Sequence, residues 1–132
     1  MKLFSLTIVL LFAAISFAEH VEAITPIKGV TPSRDVFQVA KRGKPIELKT
    51  AEEAAKHFSE EELAKLEKQV DFDKQIVLLF AWRGSGQDRL EYAAEESYPE
   101  QISFTIKPGR TRDLRPHIKI FALRSNVSWS AK

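Results

Sequence analysis

The stretch IVLLFAW, residues 76–82, is continuously apolar and predicts the central β-strand of the fold. Successive side chains of a strand point to opposite faces. This divides the stretch into two sets, Ile76, Leu78, Phe80 and Trp82 on one face and Val77, Leu79 and Ala81 on the other. Because both sets are apolar, we expect other elements to cover this strand on both faces.

Further strands are predicted on both sides of this stretch. Downstream, apolar and polar residues alternate in ISFTIK (102–107), which has Ile102, Phe104 and Ile106 facing inward, and HIKIFAL (117–123) is a third strong strand. Shorter strand candidates are DVFQVA (35–40), PIELK (45–49) and VSW (127–129). The segment 89–96 fits either a strand or a helix, and we predict a strand.

Helices are predicted between residues 50 and 70. Thr50 with Glu53, and Ser59 with Glu62, are two capping-box patterns, and each is followed by apolar residues at helical spacing. This pattern predicts two short helices or one helix bent near Ser59. The complete pattern predicts an α+β fold, a mainly antiparallel sheet with one or two short helices packed on it.

The first 23 residues have the composition of a secretory signal peptide. Lys2 precedes an apolar run from Leu3 to Ala18, which is short for a membrane-spanning helix of about 20 residues. Cleavage after Ala18 or after Ala23 satisfies the small-residue rule, and we favour Ala23. We therefore expect a secreted or periplasmic protein with no membrane anchor after cleavage. Residues 24–34 are predicted to be an extended arm or linker, and 35–132 a single domain.

Composition narrows the function classes. The chain has no cysteine, which excludes a thiol nucleophile, a cysteine-ligated metal and a lipoprotein anchor. Cleavage after Ala23 would remove Lys2, Glu19 and Glu22 from the 20 basic and 18 acidic residues. The remaining chain, residues 24–132, would have 19 basic and 16 acidic residues and a net charge of +3. That excess lies in residues 82–132, where nine basic residues face six acidic ones. So small a charge, without a series of stacking aromatic residues, predicts no nucleic-acid binding.

One family resemblance covers residues 45–124. The helix TAEEAAKHF (50–58), followed by VDFDKQIVLLFAWRGSGQ (70–87), resembles small exported bacterial domains of unknown function. More distantly, it is similar to the accessory-subunit domain of a secreted protease complex, in which an Asp-Phe-Asp sequence precedes a central strand and a Gly-rich turn follows. That family usually has a Gly-Gly-Tyr-like element where this chain has Gly84-Ser85-Gly86-Gln87. The resemblance implies a fold, and we transfer no active site from it.

The Gly-Ser-Gly sequence after the central strand allows three interpretations. As a hydrolase elbow it would carry Ser85 as nucleophile with His117 and Asp88 or Asp113, but the Gly-x-Ser-x-Gly spacing is missing. As an anion-binding loop it would use backbone N–H groups closed over by Arg83 or Arg89. As a turn it would use the glycines for positive φ. We favour the turn and keep anion binding open.

The basic run KPGRTRDLRPHIK, residues 107–119, is the second candidate for binding. Pro108-Gly109 indicates a type II turn, and the arginines around it suit phosphate, sulfate or carboxylate groups. The alternative is a solvated loop in which Asp113 pairs with a neighbouring arginine. The predicted binding surface combines the two regions, which we expect to be neighbouring turns of one sheet: Arg83, Gly84, Ser85, Gly86, Arg89, Arg110, Arg112 and Arg115.

No cofactor or metal is expected. Asp71 and Asp73 lack the Asp-rich calcium-loop pattern, and His57 and His117 are too few for a zinc site. The sequence therefore predicts an exported non-catalytic binding or accessory module that contacts another extracytoplasmic protein. The alternative is a binder of acidic envelope polymer or anionic lipid through the Arg-rich loop. A small serine hydrolase is the third alternative.

Overall fold

The computed structural model describes residues 21–132. The predicted signal peptide, residues 1–23, lies outside this range except for its last three residues. None of the helices in the described part of the chain is long and apolar enough to cross a membrane.

The first sheet has four strands in the order β1-β6-β3-β2, and every neighbouring pair in it is antiparallel. Its strands are β1 (Ile24–Ile27), β2 (Ile46–Leu48), β3 (Gln75–Gly84) and β6 (Arg115–Arg124). The central strand β3 contains the IVLLFAW stretch and pairs with β6 over ten residues. The second sheet has three strands in the order β4-β5-β7: β4 (Arg89–Glu95), β5 (Gln101–Lys107) and β7 (Ser128–Ala131). Its β5–β7 pair is parallel.

The α+β prediction is confirmed, with two packed sheets and three short helices: α1 (Val36–Val39), α2 (Ala51–Ala55) and α3 (Glu60–Glu67). The two predicted N-caps also form. The Thr50 side chain accepts a hydrogen bond from the Glu53 N–H at 3.1 Å, and Ser59 accepts one from the Glu62 N–H at 3.3 Å. Residues 89–95 form a strand, as predicted.

The prediction of a strand at residues 35–40 is wrong, because this segment contains α1. Its β-branched valines favour a strand, but tertiary contacts decide otherwise. The Asp35 carboxylate receives the Ser33 hydroxyl and lies 3.1 Å from His57 Nδ1, while the Ser33 N–H donates to the His57 carbonyl at 2.7 Å. These bonds hold the segment against α2 in a turn that continues as a helix and buries Val36 completely.

The alternation along β3 produces two hydrophobic cores, as the sequence predicts. Val77, Leu79 and Ala81 pack against the helices. Leu78, Phe80 and Trp82 pack against the second sheet, where they meet the inward residues of β5. The first sheet is therefore the middle layer of three.

The segment 24–34, predicted as an extended arm or linker, is extended at β1 and pairs there with β6. Gly29 then has a φ of 76°, a conformation that favours glycine, and the chain leaves β6. Both Ile27 and Val30 are buried in the helical core. The Lys28 carbonyl accepts a hydrogen bond from the Gln69 side chain at 2.8 Å, and the Thr31 N–H donates to Glu62.

Candidate binding site at the joined loops

Two connections between the sheets meet at one end of the molecule. Residues 85–88 lead from β3 to β4, and residues 108–114 lead from β5 back to β6; we call them the joined loops. The Ser85 hydroxyl bonds the Thr111 hydroxyl, and the Arg110 N–H donates to Gln87 Oε1 at 3.3 Å. The two predicted regions therefore lie together, but they are crossings between two sheets and not neighbouring turns of one sheet.

Asp88 is a buried anchor of the joined loops and is only 7 % exposed. One carboxylate oxygen accepts the Gly109 N–H at 2.7 Å, and the other accepts the Trp82 indole N–H at 3.2 Å. Arg42 lies 3.5 Å from the second oxygen. The Gly109 hydrogen bond, followed by Trp82 and Arg42, holds the pKa of Asp88 below its ordinary value, although burial acts in the opposite direction.

Asp113 is the second anchor, and it lies at the surface. Its Oδ1 accepts the Thr111 hydroxyl and, at 3.0 Å, the Gly86 N–H. Its Oδ2 lies 3.1 Å from Arg115 Nε. The Thr111 hydroxyl, then Gly86 and Arg115, lower the pKa of Asp113 to about 2. A backbone N–H that an external anion could have bound is thus used by a carboxylate of the same chain.

The titration of Asp113 should be visible at Gly86. Because the carboxylate pKa is depressed in the folded protein, the contact should be intact above the ordinary value of 3.8 and break as the pH falls through about 2. We expect the Gly86 amide proton shift, followed by NMR, to titrate with a midpoint near 2. In Thr111→Val, which removes the largest cause, the midpoint should rise toward 3.8. A midpoint near 3.8 in the unaltered protein would contradict the contact.

The loop glycines serve close approach, which corrects the expectation of positive φ at the Gly-Ser-Gly turn and of a type II turn at Pro108-Gly109. In residues 21–132 only Gly29 and Gly43 have positive φ. A Cβ added to Gly86 would lie 2.6 Å from Asp113 Oδ2, and one added to Gly109 would lie 2.5 Å from Ser85 Oγ. A Cβ on Gly84 would collide with the Asp88 carboxylate. Glycine at these positions lets the loops and their two anchors come this close without displacing the side chains that join them.

The side chains named for a hydrolase do not form a hydrogen-bonded triad in the described structure. His117 Nε2 lies 2.7 Å from the backbone carbonyl oxygen of Ser85, and its ring stacks on Trp82 at 4.8 Å between centroids. The Ser85 hydroxyl accepts the Gln87 N–H at 3.2 Å and bonds Thr111, whose own proton goes to Asp113. Ser85 therefore belongs to the framework that joins the loops.

Two of the predicted arginines are already engaged, Arg115 within the joined loops and Arg83 on the opposite face of β3. Arg115 is bound to Asp113, as the solvated-loop alternative predicts. Arg83 projects from the other face of β3, with its guanidinium carbon 5.3 Å from the centre of the Phe37 ring. Neither side chain is directed to the joined loops as a free cation.

The remaining three arginines are exposed around the joined loops. Arg89, Arg110 and Arg112 have no carboxylate within 4.0 Å among the residues that the structure describes. An open groove of about 510 Å³ runs between the loops, with Arg89, Lys107 and Arg110 on its walls. Lys107 is paired with Glu91 at 3.0 Å, which leaves the two arginines as the groove's unpaired cations.

Leu114 is a site residue that the sequence analysis missed. It is 70 % exposed and follows Arg112 by two residues in the loop that carries Arg110 and Arg112, which gives this loop an exposed apolar side chain. Arg42, which reaches Asp88 from the turn before β2, was also missed. The sequence signal for Leu114 is weak, because a single leucine between charged residues is a common surface feature.

In residues 21–132 no group of three or more His, Asp or Glu side chains could hold a metal ion. Comparison with family models, curated proteins and solved structures found no match to this chain.

Proposed function

We propose that this protein is an exported, non-catalytic binding module that uses the joined loops to contact an acidic surface of another extracytoplasmic protein. The observation that carries the proposal is the separation of roles within the loops. Asp88, Asp113, Ser85 and Arg115 are used to hold the two loops together, whereas Arg110 and Arg112 are left exposed and unpaired among the described residues.

A fixed framework supports binding because less conformational freedom is lost on association. Each loop is held through side chains of the other: Asp88 binds Gly109, and Asp113 binds Gly86. Arginine presents a planar set of donors that matches a carboxylate. The free arginines would therefore meet acidic side chains from a surface that is already ordered.

Leu114 supports a protein partner over an acidic polymer. An exposed leucine beside free arginines gives the surface an apolar component, which a folded partner can bury. An acidic polymer or lipid head group would engage the charges alone, and its binding would fall steeply with salt. The salt dependence of binding thus separates the two ligands.

The test is retention of partners from the native extracytoplasmic fraction on the immobilised protein. We expect a discrete protein that persists at moderate salt and is lost with Arg110→Ala/Arg112→Ala, which should weaken binding about tenfold or more. The matched control is Lys56→Ala/Lys68→Ala, which removes two positive charges from exposed positions in the helical layer. Arg115 is left unchanged because it holds Asp113.

Two other results would overturn the protein-partner proposal. Recovery of acidic polymer alone, at low salt only, would assign the loops to polyanion binding. Equal retention by the loop variant and the helical control would remove the joined loops from the binding surface. Hydrolysis of an ester substrate that Ser85→Ala abolishes would restore the enzyme alternative.

A further inference from the structure

The outer edge of β4 is an unpaired strand edge. In the second sheet β4 pairs only with β5, and no other described segment pairs with its far side. The strand is seven residues long, contains no proline, and is exposed at every residue except the half-buried Leu90. Edge strands of this length are usually blunted or covered, because their free N–H and C=O groups can pair with another strand.

The hydrogen bonds of β5 show which groups of β4 are free. On the side of β7, the backbone groups of Phe104 and Ile106 form hydrogen bonds. The Lys132 N–H donates to the Phe104 carbonyl, and the Ile106 N–H donates to the Lys132 carbonyl. The odd-numbered residues of β5 therefore direct their backbone N–H and C=O groups toward β4. There they form hydrogen-bonded pairs with Arg89, Glu91, Ala93 and Glu95. It follows that Leu90, Tyr92 and Ala94 direct their N–H and C=O groups to the free edge.

We propose that two copies of this protein associate through β4, paired antiparallel about a two-fold axis at Tyr92. This register places Leu90 opposite Ala94 of the second copy, so that residues with outward-directed backbone groups bond each other. It also places Arg89 opposite Glu95, twice in the dimer. A six-stranded sheet results from the two three-stranded ones, with a closed, self-complementary interface.

Charge complementarity selects this register among those that the backbone allows. Neither Arg89 nor Glu95 has an oppositely charged partner within 4.0 Å in residues 21–132, and each would gain one from the second copy. Arg89 and Glu95 would form a pair without backbone hydrogen bonds, the type in which facing side chains lie closer. Shifting the strands by two residues in either direction would place Glu91 opposite Glu91 or opposite Glu95, which is unfavourable.

The inner face of β4 also has apolar surface to bury. Tyr92 packs its ring against Phe121, at 5.5 Å between centroids, yet remains 42 % exposed. In the proposed pairing Tyr92 lies opposite Tyr92 of the second copy, and Leu90 lies opposite Ala94 of the second copy. Aromatic pairs across neighbouring strands stabilise sheets. This interface uses β4 and leaves Arg110 and Arg112 free, so it stands independently of the proposed partner site.

The test is the mass of the purified full chain in solution, measured by sedimentation over a wide concentration range. We expect a monomer–dimer equilibrium. Either Arg89→Glu or Glu95→Arg should weaken dimerisation about tenfold or more, because each creates two like-charged pairs. The double variant Arg89→Glu/Glu95→Arg restores opposite charges across the interface and should restore dimerisation. Recovery in the double variant is the result that a merely structural role of either residue would not produce.

A backbone variant tests the strand pairing itself. Ala94→Pro removes an N–H that points away from β5, so the monomer should keep its circular dichroism spectrum while dimerisation falls. A monomer at every concentration would overturn the proposal and leave the β4 edge to a strand from a different protein. A dimer that the charge and proline variants leave unchanged would overturn it as well.

Discussion

Replacing Phe80 with alanine is expected to lower the free energy of unfolding by about 3–5 kcal/mol. The Phe80 side chain is 1 % exposed and lies at the centre of the core between the sheets. Its ring is 4.9 Å from the Phe104 ring and 6.0 Å from the Phe121 ring, measured between centroids. The truncation leaves a cavity that the neighbouring rings on β5 and β6 cannot easily fill. Urea unfolding followed by circular dichroism measures the loss.

Phe37→Ala is the matched control for this prediction. Phe37 is also a phenylalanine, but it lies in α1, is only partly buried and contacts Arg83 at the surface of the helical core. We expect this variant to lose about 1–2 kcal/mol of unfolding free energy, because folding removes less apolar area from water at Phe37 than at Phe80. Equal losses in the two variants would contradict the assignment of Phe80 to the centre of the intersheet core.

The second large effect is expected for Asp88→Ala, at about 3 kcal/mol of unfolding free energy. The change leaves the Trp82 indole N–H and the Gly109 N–H without their acceptor, and both lie in the part of the protein where the sheets are joined. A buried donor without an acceptor costs more than the bond itself contributed. Chemical unfolding followed by tryptophan fluorescence measures this effect, and Trp82 contributes to that signal together with Trp129.

Asp88→Asn provides the control of nearly equal shape. The asparagine side chain has one accepting oxygen, whereas the two carboxylate oxygens of Asp88 accept from both the Trp82 indole and the Gly109 N–H. We therefore expect a loss of unfolding free energy between zero and that of the alanine variant. Since the folded pKa of Asp88 is depressed, its charge stabilises the protein above the ordinary value of 3.8, and this is lost as the pH falls through the folded pKa. The difference between the aspartate and asparagine proteins should therefore shrink in acid. A difference independent of pH would contradict this account.

These results assign different tasks to acidic and basic residues at the same end of the protein. The two aspartates, Asp88 buried and Asp113 at the surface, bind backbone N–H groups across the loops. Arg89, Arg110 and Arg112, which bind neither aspartate, face solvent around the joined loops. Loss of Asp88 should therefore disturb both stability and binding, whereas loss of Arg110 and Arg112 should disturb binding alone.

Local pattern determined the strong elements of this fold. Seven consecutive apolar residues specified β3 and its two covered faces, since a strand exposes alternate side chains to opposite sides. The capping residues Thr50 and Ser59 placed the starts of α2 and α3, because each hydroxyl satisfies a free N–H one turn later. By contrast, the prediction of a strand at residues 35–40 was wrong. The helix α1 that forms there depends on a contact between Asp35 and His57, which is twenty-two residues away.

The candidate site shows the same division. The sequence alone indicated the residue types, a glycine-rich turn and an arginine-rich loop. Only the tertiary structure decided that the strands form two sheets, that both loops cross between them at one end, and that Asp113 takes the Gly86 N–H. It also decided which arginines are bound and which are free. The reason is physical: pairing of charges and donors depends on distances between residues far apart in the chain, which no local pattern specifies.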